Sequence, residues 1–150
     1  YGPSKVWAEA KKERNPVYEK YPMVYHARHT RWSVHSSWRT TDAITRLDDI
    51  GQPLLELNPV DAAKRGLVAG DWATAYNQNG YVKAKVKLRE SVPPGAVLIY
   101  FGWQREQIRE GHWNALTHND INPIHEIYFI PNVWGPVSGH FDQLCEVKKS

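Results

Sequence analysis

A single cysteine, Cys145, stands in a chain of 150 residues. One thiol can build neither an internal disulfide nor a cysteine-ligated zinc or iron–sulfur site, so disulfide scaffolds and both of those metal classes are excluded. Long apolar runs are missing as well. No stretch approaches the roughly 18 residues of a membrane-crossing helix, and no charged segment followed by an apolar signal core opens the chain, which predicts no direct membrane insertion. A charge of one sign is also wanting: 19 Lys and Arg oppose 16 Asp and Glu, for a formal net charge of +3. So weak a field does not select nucleic acid as a partner. Internal repeats and low-complexity segments are absent, which leaves a folded domain whose 41% hydrophobic and 23% charged residues suffice for one core.

What is present is short strands and polar loops. Residues 1–20 mix Lys, Glu, Pro and Asn without apolar period and are expected to be a lead-in or linker, with the domain over 21–150, processed or cut from something longer. "YPMVYHA" has strand-forming residues, and the polar cluster Arg28 to Thr41 follows as a loop. In "PLLELNPVDAAKRG", Leu54 to Leu57 is a short strand, Asn58 caps a helix, Pro59 suits its first turn and Gly66 closes it. A strand from Trp72 to about Tyr76 is expected to turn tightly at Asn79-Gly80 into "YVKAKVKL". There Val82, Ala84, Val86 and Leu88 alternate with Lys83, Lys85 and Lys87, the period of a half-buried strand whose lysines face solvent. The unbroken apolar run Ala96 to Phe101 predicts a strand buried on both sides. A stretch with little period runs from Gly102 to Asp142, and a last strand covers about Gln143 to Lys148. Many short strands, short helices and long polar loops predict a closed β-barrel.

The densest chemistry lies in "YHARHTRWSVHSSWR", Tyr25 to Arg39. His26, His29 and His35 suggest a metal site, but the patch supplies no carboxylate or thiolate to complete one. Arg28, Arg31 and Arg39 offer planar donor forks for phosphate, and Thr30, Ser33, Ser36 and Ser37 add hydroxyls. Trp32 and Trp38 offer flat surfaces to a heterocycle. A surface loop anchored by its tryptophans accounts for the same composition, and composition leaves the two readings open. "GHWNALTHNDINPIHE" repeats the chemistry with His112, Asn114, Thr117, His118, Asn119 and Asn122, whose amides carry both donor and acceptor for a heterocycle edge. His118 and Asp120 resemble a base and its orienter, yet no serine or cysteine nucleophile is marked out. Cys145 lies in an apolar strand context and is expected to be a buried small residue.

Two motifs go beyond composition. "LELNPVDAAKRGLVAGDWATAYNQNG" resembles the signature of the C-terminal molybdopterin dinucleotide-binding domain in the dimethyl sulfoxide reductase family of molybdenum enzymes. "HTRWSVHSSWR", with two histidines six apart, resembles the cofactor loop of the nitrate reductase-like, type II branch, and "HWNALT" and "WGPVSGHFD" resemble its later loops. The likeness covers about Tyr21 to Lys149. It implies a mainly β fold with short helices, a six-stranded double-psi β-barrel of the aspartate decarboxylase-like kind, with long cofactor-contacting loops. It implies bis(molybdopterin guanine dinucleotide) molybdenum as cofactor, contacted by His29, Thr30, Arg31, Trp32, Ser33, His35 and Ser36 and by Asn114, Thr117 and His118. It also implies a larger catalytic alpha subunit whose other domains carry the iron–sulfur cysteines and the protein ligand to molybdenum, so no catalytic or metal-ligating residue is assigned here. Partners would be those remaining domains, an iron–sulfur electron-transfer beta subunit and a haem gamma subunit. The branch includes nitrate, chlorate, perchlorate and selenate reductases and ethylbenzene dehydrogenase, so the resemblance leaves oxo transfer and anaerobic hydroxylation both open. Its periplasmic members set the expected location, with the cytoplasmic face of the membrane as the alternative. A stand-alone double-psi barrel, serving as a binding or cofactor-assembly module, is the rival reading.

Overall fold

The computed structural model describes residues 16–47, 51–117 and 141–150. Among the described residues seven strands form one sheet: β1 (Met23–Arg28), β2 (Leu54–Leu57), β3 (Trp72–Tyr76), β4 (Tyr81–Leu88), β5 (Ala96–Tyr100), β6 (Glu110–Gly111) and β7 (Phe141–Lys149). Their order is β2-β5-β1-β7-β3-β4-β6, and a further β2–β4 pairing closes six of them into a barrel with β6 outside the ring. β1–β5 and β2–β4 are parallel, while β1–β7, β2–β5, β3–β4 and β3–β7 are antiparallel. Closure removes the free edges that an open sheet of short strands would expose. This is the closed β-barrel with short helices that the residue pattern predicts, with the six strands that the family resemblance implies.

Alternation along each strand builds the core. Tyr25 and Ala27 of β1, Ala73 and Ala75 of β3, Val82 and Val86 of β4, Val97 and Ile99 of β5, and Cys145 and Val147 of β7 are all buried. At about 25 cal/mol per Å2 of apolar surface removed from water, each buried Leu, Val or Ile contributes roughly 1.5–3 kcal/mol. Tyr25 is fully buried, and its hydroxyl donates to the Trp113 carbonyl at 2.7 Å, so the barrel interior is tied to a loop outside it. Burial, with Cys145 nearby as a lesser cause, holds the Tyr25 hydroxyl well above its ordinary range. Burial likewise pushes the Cys145 thiol up, so it packs as a small apolar group.

Among the described residues three short α-helices, α1 (Pro16–Lys20), α2 (Asp42–Thr45) and α3 (Pro59–Lys64), accompany the strands, with one 3-10 turn at Arg105–Gln107. Among the described residues no helix is long and apolar enough to cross a membrane. α3 follows its sequence signals closely. The Asn58 side chain accepts from the Val60 N–H at 2.9 Å, Pro59 occupies the first turn, and Gly66 ends the segment at φ +62°. Asn58 Nδ2 also donates to the Val92 carbonyl at 2.8 Å, and buried Asp61 accepts from the Gly95 N–H at 2.6 Å. The helix thereby fixes the turn that launches β5.

Two local expectations are corrected. β5 is not buried on both sides: Val97 and Ile99 face the core, while Ala96, Leu98 and Tyr100 are half-buried on the outer surface. Its outer residues are themselves apolar, which hides the alternation in the sequence. The tight β3–β4 turn falls one residue before Asn79-Gly80, on Gln78-Asn79, closed by the Asn77 N–H donating to the Gly80 carbonyl at 3.0 Å. Tyr76 pairs with Tyr81, and the chain reverses over residues 77–80. Asn77 Oδ1 accepts from the Asn79 and Gly80 N–H groups at 2.9 and 3.3 Å, and its Nδ2 donates to the Leu116 and Leu144 carbonyls. An asparagine that satisfies its own turn and two neighbouring segments sets this loop.

Candidate functional site

β1 and β5 run parallel, so both deliver their C-terminal residues to the same end of the barrel. The Phe101 N–H donates to the Arg28 carbonyl at 3.1 Å and extends the pairing one step beyond the strands. From there the first polar loop, residues 29–41, folds back in turns, with the Ser37 N–H donating to Val34 O at 2.8 Å and the Thr41 N–H to Trp38 O at 3.0 Å. His35 and Trp38 take positive φ values of 51° and 70°, unusual for residues with a Cβ.

The loop converges on Phe101. The His29 ring meets it edge-on with centroids 4.3 Å apart, His35 lies 5.1 Å from Phe101, and the two imidazoles are 5.1 Å from each other. Gly102 sits at φ +88°, where a Cβ would clash with the His35 carbonyl and crowd the Ser36 nitrogen, so glycine permits the loop to close against β5. Phe101 and Gly102 were not among the expected site residues. The end of an apolar run in Phe-Gly is their only signal in the sequence.

The three arginines of the patch do three different things. Arg28 donates to Glu56 and, at 3.0 Å, to the Tyr100 hydroxyl, while Arg89 Nε donates to the other Glu56 oxygen at 2.7 Å. Arg39 is 1% exposed, lies 4.1 Å over the Trp103 ring, and donates to the carbonyls of His35 (3.0 Å) and Phe101. Arg31 is exposed and rests on its neighbour Trp32, 5.3 Å from the ring centroid. Of the three donor forks, Arg31 is the one left facing outward from the loop. Thr30 Oγ1 accepts from the Trp32 N–H at 3.2 Å, Ser36 is exposed, and Trp32 is 56% exposed. The tryptophans Trp32 and Trp38 are therefore not the hydrophobic anchors that the surface-loop reading requires, since Trp38 is 66% exposed.

The second loop reaches the same place. Trp113 stacks at a tilt on Phe101 with centroids 5.8 Å apart, and its Nε1 donates to the Trp103 carbonyl at 3.0 Å. His112 packs 5.4 Å from Trp113, and its Nδ1 accepts from the Asn114 N–H at 3.2 Å. An accepting Nδ1 requires the proton to sit on Nε2 in the neutral ring. Burial first, and Arg105 second, hold His112 below its usual range against an opposing hydrogen bond to the Trp103 backbone. Thr117 Oγ1 donates to Asn114 at 2.8 Å, so these two expected site residues share one exposed turn. His118, Asn119, Asp120, Asn122 and the "WGPVSGH" segment lie outside the described residues.

Three buried polar atoms in this region have no partner among the described residues: Arg28 Nε, the Ser33 hydroxyl and the Trp103 indole Nε1. Leaving such a group unsatisfied costs about 1–3 kcal/mol, so each is a donor that a bound acceptor would satisfy. Among the described residues no three His, Cys, Asp or Glu side chains gather as a metal cage. The arrangement supplies stacking surfaces, neutral donors and cations for a large polar, acceptor-rich ligand.

Comparison with known proteins identifies the family of the domain as a whole. A family model described as the molydopterin dinucleotide binding domain matches residues 23–133. The respiratory nitrate reductase subunit alpha of Haloferax mediterranei is 33% identical over 141 residues, covering 87% of this chain and 14% of that protein. The chlorate reductase subunit alpha of Ideonella dechloratans is 32% identical over 107 residues, covering 71% of this chain and 12% of that protein. Among solved structures, acetylene hydratase from Pelobacter acetylenicus shares the fold with a TM-score of 0.66 and 17% identity, over 94% of this chain and 20% of that one.

Proposed function

The chain belongs to the molydopterin dinucleotide binding domain family, and we propose that it is the C-terminal cofactor-binding domain of a molybdenum oxidoreductase catalytic subunit. The observation that carries this reading is the convergence of two polar loops on Phe101 at one end of the barrel. Buried donors with no partner among the described residues suit an acceptor-rich dinucleotide: Arg28 Nε at the end of β1, Ser33 Oγ in the first loop and Trp103 Nε1 in the ring beneath Arg39.

The bis(molybdopterin guanine dinucleotide) group supplies the redox chemistry at its metal, and this chain supplies binding and orientation. In this reading His29 and His35 hydrogen-bond the pterin edges, held upright by each other and by Phe101. Arg31, Thr30, Ser33 and Ser36 serve the pyrophosphates, because Arg28 and Arg39 are already committed to partners within the fold. Trp32 offers an exposed ring to stack on, and Asn114, Thr117 and His118 read the heterocycle from the second loop. The remaining domains of the subunit would cover these loops, and an iron–sulfur beta subunit and a haem gamma subunit would complete the electron path. Nitrate, chlorate or perchlorate reduction is the favoured activity, from the names of the relatives, and the periplasm the favoured location.

Substituting His29 or His35 with alanine in the full-length protein is expected to lower cofactor occupancy or shift the molybdenum potential. Unchanged occupancy, potential and activity in both variants would reject their assignment.

A further inference from the structure

We propose that Arg39 is the positioning residue of the cofactor loop: from its buried side it grips the backbone carbonyls of His35 and Phe101 together, and so sets where the His29–His35 ring pair stands. The inference rests on the functional reading above for its consequence, and on geometry alone for its mechanism.

A guanidinium only 1% exposed is a costly choice for a loop. Among the described residues Arg39 forms no ion pair, so no carboxylate offsets that cost. Burial lowers its pKa to about 10, which leaves it charged at neutral pH. The side chain is therefore a fixed cation whose partners are backbone carbonyls and the face of Trp103 at 4.1 Å. Both carbonyls belong to residues whose rings touch His29, and they come from segments 66 positions apart in sequence (101 − 35). A planar fork can bridge two such acceptors while stacking on an indole; an ammonium or an amide cannot do all three.

The backbone at His35 needs such a clamp. Its φ of 51° is a left-handed conformation that a residue with a Cβ keeps only where the surroundings over-determine it. Gly102 approaches the His35 carbonyl so closely that a Cβ would not fit, and Arg39 Nε donates to that same carbonyl at 3.0 Å. Without the guanidinium, the His35 peptide can turn toward ordinary φ, and the ring pair turns with it.

The test uses full-length protein carrying Arg39→Lys or Arg39→Gln, with Asn58→Ala as a control that weakens α3 without touching the loop. Three quantities are read: the rate of trypsin cleavage after Arg31, the retention of molybdenum cofactor, and the midpoint potential of the molybdenum that remains bound. Both Arg39 variants are expected to speed cleavage after Arg31, to weaken cofactor retention about tenfold and to shift the potential, while Asn58→Ala leaves all three near wild type. Arg39 variants that melt at lower temperature yet keep wild-type cleavage after Arg31 and an unshifted potential would show a purely structural residue and overturn the proposal. If the wild-type protein carries no molybdenum, the functional reading falls instead, and the cleavage rates alone decide whether Arg39 holds the loop.

Discussion

The imidazole of His29 stands edge-on to Phe101 with ring centroids 4.3 Å apart, and this contact joins the chemistry of a loop to the rigidity of a barrel. Phe101 follows directly on β5, whose parallel pairing with β1 fixes both chain ends at one rim. Trp113 reaches the same ring from the second loop, so one aromatic residue positions both. A site built this way inherits its precision from strands, while its contact surface stays in loops.

Gly102→Ala is expected to disrupt that joint. The new Cβ would meet the His35 carbonyl, and φ +88° is unfavourable for alanine, for a cost of about 2 kcal/mol or more. Hydrogen exchange in the full-length protein should show faster opening of residues 29–41 and of the end of β5. Wild-type protection there would mean that the close approach is not needed.

Glu56 offers a second point of attack, outside the loops. It is 1% exposed and takes Arg28 on one oxygen and Arg89 on the other. Glu56→Gln leaves two guanidinium groups against a neutral amide with one acceptor oxygen. Removing one member of a fully buried pair costs roughly 3–5 kcal/mol; with the arginines 39% and 32% exposed, about 2 kcal/mol is expected. Amide exchange in β2 reports it, and an unchanged rate would show that the carboxylate charge is dispensable.

Acid is expected to loosen the second loop before the barrel. His112 is held neutral, with its folded pKa below the unfolded value, so the unfolded state binds the proton more readily. Its contribution is complete above about pH 6.5 and is lost as pH falls through that value toward the lower folded pKa. Exchange of residues 112–117 should accelerate across that window in wild type and lose the step in His112→Asn. A step that persists in the variant would assign the transition to another group.

Much of this was legible in the sequence, for physical reasons that differ by element. α3 was readable because Asn58, Pro59 and Gly66 each act locally, through a cap, a fixed φ and a left-handed turn. The alternation of β4 is legible because its outer face carries lysines; that of β5 is hidden because its outer face carries Ala96, Leu98 and Tyr100. The polar patch was visible as composition, but composition treats Arg28, Arg31 and Arg39 alike. Their separation into an ion-pair member, an outward-facing donor and a buried clamp depends on Glu56, Phe101 and Trp103, each distant in sequence. Phe101 itself looked like one more apolar strand residue, since nothing local reveals what will pack on a strand's end.

The central claim is that these loops hold a molybdenum–pterin dinucleotide, and the composition of the native protein tests it most directly. Metal analysis and acid release of nucleotide from full-length protein, purified from its own cells under conditions of expression, should give molybdenum together with pterin and guanine nucleotide in fixed proportion. Protein that is folded and full-length but free of both molybdenum and pterin would contradict the account.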